Sequence, residues 1–160
     1  MALVMLCLAS MYIATSSPAD ATNLADLTAR PPVRIGNPAH TPIPAGVWGG
    51  TIKLTDQDAV TRNAGRCTFN IWYEIVNKGT AAAAPAFVDT IKVGLAPVSV
   101  SPPIAPLPAG ESRLIKTQAV LPGGAHTLSL DIDSGGVVTE SNKANNHVHL
   151  NYTLVGNCAD

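Results

Sequence analysis

The stretch CTFNIWYEIVNKG, residues 67–79, decides the fold class of this 160-residue chain. Apolar side chains occupy every second position, and the intervening positions carry Thr68, Asn70, Trp72 and Glu74. A period of two over this length is typical of a β-strand with one buried face, and the closing NKG is a turn signal. The face that we expect to be buried carries Cys67, Phe69, Ile71, Tyr73 and Ile75.

The same alternation recurs towards the C-terminus in three further segments. Glycine and proline, 13 of each, lie mostly between these apolar runs and predict turns there. Short strands at intervals of this kind favour an all-β sandwich. The predicted inward residues are Phe87, Ile91, Val93 and Leu95 in the first segment, Leu128, Leu130 and Ile132 in the second, and Val148, Leu150, Tyr152 and Leu154 in the third.

The N-terminal residues 1–21 have the features of a secretory signal peptide. Residues 2–14 are mostly apolar but fall short of the roughly 20 residues that a membrane-spanning helix needs. Ala19-Asp20-Ala21 has the small-x-small form of a cleavage site. No Lys or Arg precedes the run, so a retained apolar N-terminus is the alternative. We expect a secreted, cell-surface or periplasmic protein that is not inserted in a membrane once the signal is removed.

We divide the rest of the chain into an extended N-terminal arm with the first strands, residues 22–60, and a sandwich core, residues 61–160. Five prolines between residues 22 and 45 exclude this arm from a central strand. The segments ADLTA and VRI still predict short edge strands. Such an arm either covers an edge of its own sandwich or adds a strand to the open edge of a neighbour.

Composition excludes several classes of function. The net charge of −1 gives no electrostatic basis for binding nucleic acid or an acidic membrane surface. No motif of a nucleotide, metal-hydrolase or serine-hydrolase site occurs, so we predict no enzyme and no cofactor. A length of 160 residues suits one domain with a substantial core.

Two cysteines remain after the predicted signal is removed, and Cys67 and Cys158 form an even pair in an exported chain. Both have the inward parity of their strands, if the last strand continues past Gly156. We therefore predict a disulfide between them, which would stabilise the fold by roughly 4 to 5 kcal/mol through the loop that it closes.

The polar stretch DIDSGGVVTESNKANN, residues 131–146, contains weak calcium candidates in Asp131, Asp133 and Glu140. An EF-hand loop needs a ligand at its fifth position and a glutamate at its twelfth, and this stretch has glycine at the fifth and glutamate at the tenth. We favour a tight turn at residues 133–136 and predict no metal site. Alternation places Asp131 and Asp133 on a solvent face, where nothing desolvates them and so nothing would shift a pKa towards catalysis.

A second metal hypothesis concerns His147 and His149, which share an outward strand face about 7 Å apart. They would need a third ligand from a neighbouring strand, and the sequence identifies none. A solvated strand face is the favoured interpretation.

Several of these segments together resemble the CARDB family, the cell-adhesion-related domain found in bacteria. The resemblance covers about residues 66–150 and implies an immunoglobulin-like or fibronectin-like β-sandwich of about seven strands. It also implies an exported accessory module of larger surface proteins, without catalytic residues. The matching residues are Val76, Asn77 and Gly79 in one motif, Leu107, Ala109, Gly110 and Ser112 in the next, then His126 and Thr127, and finally Asp133, Val138, Glu140, Ser141, Asn145 and Asn146.

The leading hypothesis from the sequence is an exported, non-catalytic binding module of the cell-adhesion type that mediates protein–protein or surface interaction. The alternative is a structural subunit or decorating protein of an extracellular filament or particle, assembled through strand addition by the N-terminal arm. Either hypothesis predicts a protein partner or self-association as a homo-oligomer.

Overall fold

The computed structural model describes residues 23–63 and 66–158, so the predicted signal peptide lies outside the described residues. Within them, no helix is long and apolar enough to cross a membrane. A 3-10 turn at Asp56–Asp58 accompanies the strands. The strands are β1 (Leu27–Gly36), β2 (Ala45–Gly46), β3 (Thr51–Thr55), β4 (Thr61–Asn63), β5 (Arg66–Asn77), β6 (Thr90–Val93), β7 (Ala96–Val100), β8 (Ser112–Leu121), β9 (Gly124–Asp131) and β10 (His147–Val155).

Two five-stranded sheets face each other, which confirms the predicted all-β sandwich. The first sheet has the order β2-β1-β5-β4, and β8 also pairs with β5. The second has the order β3-β10-β9-β6-β7. All pairs are antiparallel except β3 with β10. Ten strands replace the expected seven or so because β2 and β4, of two and three residues, are too short to leave a sequence pattern.

The core contains most of the residues that alternation predicted, Val93 and Val148 are partly buried against it, and one residue is an exception. All five inward residues of β5 are buried, and so are those of β9 and most of β10. Leu95, in contrast, is 97% exposed. The chain turns at Gly94, whose φ of 59° ends β6, and the face parity of that strand does not continue past the turn.

Much of the N-terminal arm is a strand of its own sandwich. β1 pairs with β5 from Leu27 opposite Asn77 to Gly36 opposite Asn70, with a register shift between Arg30 and Arg34. Two of the five prolines fall inside this shift, where the ladder needs no amide donor. The predicted short strand VRI and the last three residues of ADLTA are thus parts of one bulged strand. The division of the chain at residue 60 stays a prediction.

A disulfide joins Cys67, at the start of β5, to Cys158, beyond the end of β10. The two Cα atoms are 5.5 Å apart, and 91 positions of sequence separate them. β10 ends at Val155, so the chain reaches Cys158 through a turn at Gly156 and not by continuing the strand. The bridge ties the C-terminus to the first sheet and closes most of the chain into one loop.

Deleting residues 22–45 should abolish cooperative folding. The deletion removes Leu27, Val33 and Ile35, all fully buried, and each contributes about 1.5 to 3 kcal/mol to a total stability of about 5 to 15 kcal/mol. Circular dichroism during heating checks this, with the protein starting at Thr22 as the control. A truncated protein that melts cooperatively and is monomeric would instead show that the arm serves a neighbouring molecule.

Candidate functional site

A concave surface lies at the loop end of the second sheet, beside the segment that connects β9 to β10. This loop-end cavity has a volume of about 580 Å³. Strands β6, β9 and β10 supply its floor, and the connecting loop supplies one wall. Its polar lining residues are Thr90, Lys92, Asp131, Asp133, Ser134, Lys143, Asn146 and His147.

Three charged or titratable side chains from adjacent strands meet in this cavity. Lys92 Nζ lies 2.6 Å from Asp131 Oδ2, and His147 Nδ1 contacts Asp131 Oδ1. Partial burial acts to raise the pKa of Asp131, but the bonds from Lys92 and His147 outweigh it and lower that pKa. The cluster can offer a ligand both a carboxylate and two nitrogen donors at a partly exposed position.

Asp133 does not share the solvent face that we predicted for it. Its side chain is buried and accepts bonds of 3.0 Å from the backbone N–H groups of Val137 and Val138. The prediction was wrong because β9 ends at Asp131, and Asp133 adopts a left-handed φ of 48°. The alternation of inward and outward side chains along β9 therefore does not extend to Asp133. The predicted tight turn is present, with Gly136 N–H donating to the Asp133 carbonyl.

A second buried carboxylate, Asp89, lies next to Asp133 and was missed by sequence reasoning. Its Oδ2 accepts a 3.0 Å bond from the Tyr73 hydroxyl, and its Oδ1 accepts a 3.1 Å bond from the Asp133 N–H. Burial chiefly, helped by the nearby Asp133 charge and opposed by these hydrogen bonds, raises the pKa of Asp89 to about 6. A signal existed, because Asp89 occupies an inward position between Phe87 and Ile91.

Glu140, the third calcium candidate, fastens the connecting loop to the start of β1. Its Oε2 accepts a 2.7 Å bond from the Leu27 N–H, and its Oε1 accepts a 2.7 Å bond from Asn146 Nδ2. Beside it, Asn145 Nδ2 donates to Asp26 Oδ1 at 2.7 Å. Asp131, Asp133 and Glu140 therefore contact three different sets of groups and do not converge on one point.

Asn77 fastens the same N-terminal segment from the other side. It is fully buried, and its Oδ1 accepts 3.0 Å bonds from the N–H groups of Asp26 and Gly79. Its Nδ2 donates to the carbonyls of Ala81 and Leu107 at 2.8 and 3.0 Å. A Cβ on Gly79 would lie 2.2 Å from the Leu24 carbonyl oxygen, so only glycine permits this approach.

The two histidines of the second metal hypothesis make different contacts. His147 belongs to the Lys92–Asp131 cluster, whereas the His149 backbone carbonyl accepts a bond from Gly49 N–H. Among residues 23–63 and 66–158, no group of three or more His, Cys, Asp or Glu side chains is arranged to hold a metal ion. The absence of a metal site remains a prediction.

The sequence model of the CARDB family matches residues 52–149, which include strands of both sheets. A search of curated proteins finds no match. Among solved structures, the crystal structure of a CARDB domain from Pyrococcus furiosus, in complex with di-metal ions, is similar, with a TM-score of 0.50, 13% identity and coverage of 88% of this chain and 100% of that chain. The solution structure of that domain has a TM-score of 0.50 and 14% identity, with coverage of 83% and 97%. At such identities the likeness shows the fold.

Calcium should not change the stability of this protein. Protein donors already occupy the oxygens of Asp131, Asp133 and Glu140, and a ligand near its dissociation constant adds only about 0.4 kcal/mol. Thermal melts in millimolar calcium and in chelator should agree within about two degrees. A rise of about ten degrees with calcium would contradict this prediction.

Asp89 should make the fold more stable in mild acid. A carboxyl whose folded pKa is raised to about 6 contributes stability that is present below its ordinary pKa of 3.8 and is lost as the pH rises through 6. Between pH 4 and pH 7 the unfolding free energy should therefore fall by about 2 to 3 kcal/mol relative to Asp89→Asn, which cannot ionise. Urea unfolding of both proteins at each pH measures this, and a pH-independent difference would refute it.

Proposed function

Since the chain belongs to the CARDB family, we propose that it is an exported, non-catalytic binding module of the cell-adhesion type, acting through protein–protein or surface contacts. The observation that carries this proposal is the family match over residues 52–149, named for cell adhesion, together with a complete two-sheet sandwich around it. Sandwiches of this architecture commonly use their loop ends and sheet edges for recognition.

The Cys67–Cys158 disulfide supports the exported location. Disulfides persist in oxidising compartments and are rare where thiols are kept reduced. A bridge across 91 positions also suits a single module that must survive outside the cell without a chaperone. The apolar residues 2–14 and the Ala19-Asp20-Ala21 sequence support export independently.

The loop-end cavity is the binding surface that we favour for a small polar group on the partner. Lys92 and His147 contact the Asp131 carboxylate, and Lys143 lines the same hollow beside Asp133, so the cavity offers donors and an acceptor within one open hollow. The connecting loop holds its shape through Asp133 and Glu140, which would present these groups without a cost for ordering the loop.

The alternative hypothesis, assembly through strand addition by the N-terminal arm, has less support than the binding-module hypothesis. An arm that adds to a neighbour must expose its backbone, and β1 instead pairs along its length with β5 of its own chain. Leu27, Val33 and Ile35 would also leave the core if the arm were exchanged. Any homo-oligomer that forms would therefore use other surfaces.

The metal ions of the Pyrococcus furiosus domain are not part of this proposal. In that structure the domain is in complex with di-metal ions. The acidic groups of the present loop are engaged by Lys92, by His147 and by backbone amides. Binding by this chain should accordingly be the same with and without chelator.

Retention on a surface tests the proposed function directly. Beads coated with the full chain, freed of residues 1–21, should be retained on cells or extracellular material of the source organism in a saturable way. Beads coated with an unrelated immunoglobulin-like sandwich of similar size provide the control. Equal retention of both beads, or turnover by the protein of any compound in a broad hydrolase substrate panel, would overturn the proposal.

A further inference from the structure

β8 is an edge strand of the first sheet, and one of its two backbone edges is unpaired. Among the described residues its ladder partner is β5, from Val76 opposite Ser112 to Cys67 opposite Leu121. No backbone hydrogen bond joins β8 to a residue outside that ladder in residues 23–63 and 66–158. Ten residues of edge strand are long for a natural sheet, which usually shortens or covers such an edge.

The register identifies which backbone groups lie on the open side. Asn77 N–H donates to the Glu111 carbonyl at 3.0 Å, so Asn77 directs its backbone groups towards the β8 side of the strand. The Val60 N–H donates to the Thr68 carbonyl at 2.7 Å, so the even-numbered residues of β5 direct their backbone groups towards β4 and the odd-numbered ones towards β8. Odd-numbered residues of β5 lie opposite odd-numbered residues of β8, so the odd-numbered residues of β8 bond to β5. The even-numbered residues, Leu114, Lys116 and Gln118 among them, direct their N–H and C=O groups to the open side.

Proline explains why the neighbouring segment leaves this edge open. Residues 102–108 run beside β8 and contain four prolines, which have no N–H to donate. The amides of Ile104 and Leu107 bond instead to the carbonyls of Phe87 and Ala83. The segment that could close the sheet is thus committed elsewhere, and a groove remains.

This β8 groove has residues 99–105 along one wall and residues 113–118 along the other. It consists of two adjoining hollows of about 590 and 280 Å³ that share Pro102 and Lys116. Arg113 and Lys116 are its charged lining residues, and both are cationic. Leu114 adds an apolar surface that is 65% exposed.

The outer face of the first sheet beside the groove also carries positively charged side chains. Lys116 Nζ lies 5.6 Å from the centroid of the Trp72 ring, and Arg113 Nη1 donates to the Ala105 carbonyl at 2.7 Å. Two carboxylates are close in these strands: Glu74, which lies 3.6 Å from Arg30, and Glu111, which precedes β8. Neither lines the groove. The surroundings of the groove therefore favour a negatively charged occupant.

We propose that the β8 groove binds an extended, acidic segment of a partner protein, which adds as a strand to β8. Its backbone would pair with the open N–H and C=O groups of Leu114, Lys116 and Gln118, and its carboxylates would lie near Arg113 and Lys116. This inference rests on the proposed function, for which it names a site and a class of partner.

A single extended segment fits this groove better than a second copy of the chain. A strand within another sandwich would bring its own neighbouring segment, and residues 99–105 already stand beside β8. Two copies would also bring two sets of Arg113 and Lys116 together, whereas an acidic segment compensates their charge.

Amide hydrogen exchange of the ¹⁵N-labelled protein tests the pairing without any substitution. The probe is a capped peptide of alternating glutamate and valine, and the matched control alternates lysine and valine. With the acidic peptide, exchange at Leu114, Lys116 and Gln118 should slow by about tenfold, because these amides become hydrogen-bonded. Equal slowing by both peptides, slowing at other sites only, or no slowing would overturn the proposal. Protection of these amides by dimerisation without peptide would assign the edge to a second copy and also overturn it.

Two pairs of variants distinguish the contribution of backbone hydrogen bonds to peptide binding from the contribution of charge. Leu114→Pro removes an open-side N–H and spares the β5 ladder, so it should weaken binding of the acidic peptide by about tenfold, while Leu114→Ala stays within about threefold. Lys116→Glu should weaken it similarly, whereas Lys53→Glu, on exposed β3 of the other sheet, should not. Each variant's melting temperature shows whether it is folded, and binding unchanged in folded Leu114→Pro and Lys116→Glu would refute the site.

The bead assay keeps this inference distinguishable from the function on which it rests. If wild-type beads are retained and folded Leu114→Pro beads are retained equally, the module binds through another surface and the groove proposal is wrong. If the amides are protected by the acidic peptide but wild-type beads are not retained, the groove stands and the proposed surface role is wrong.

Discussion

The buried amide of Asn77 is the interaction on which much of this sandwich depends. It satisfies two backbone donors and two backbone acceptors at the point where β1, the end of β5 and the segment before β8 meet. Replacing it with an apolar residue would leave several buried polar groups unpaired, each at a cost of about 1 to 3 kcal/mol. Gly79 serves the same junction by letting the Leu24 carbonyl approach the turn. The family motif around Asn77 is therefore a structural fastening and not a catalytic signature.

The N-terminal segment that Asn77 holds is also hydrogen-bonded to the candidate site, through the loop between β9 and β10. Glu140 holds the Leu27 amide on one side and Asn146 on the other, so the loop is anchored to β1. Asp133 orders the other half of the loop through the amides that follow it, and its own amide bonds to Asp89. Polar residues that resemble a calcium loop in sequence thus order this loop through hydrogen bonds. The loop-end cavity keeps its shape because its wall is tied at both ends.

Proline has opposite consequences at the two edges of the first sheet. In β1, prolines fall in a bulge, and the strand still pairs with β5 and buries Val33. In residues 102–108, the proline density keeps a neighbouring segment from pairing with β8 and leaves that edge open. On one side of β5 the arm supplies the next strand of the first sheet, whereas on the other side β8 has a free edge that is available to a partner. This asymmetry favours a module that binds at β8 over a subunit that exchanges its arm.

Alternation in the sequence determined the sandwich and the buried face of β5, because the period of two is local and survives any arrangement of strands. The partnership of Cys67 with Cys158 followed from the count of two cysteines in the predicted exported chain, since β10 ends before Cys158 and its parity does not extend there. It failed where strands end: Leu95 and Asp133 lie just past a strand, so their environments follow turn geometry. The burial of Asp89 beside Tyr73, the anchoring of β1 and the open edge of β8 were decided only in three dimensions. Each depends on which backbone donors and acceptors remain unpaired once distant segments have packed, and no single stretch of sequence contains that information.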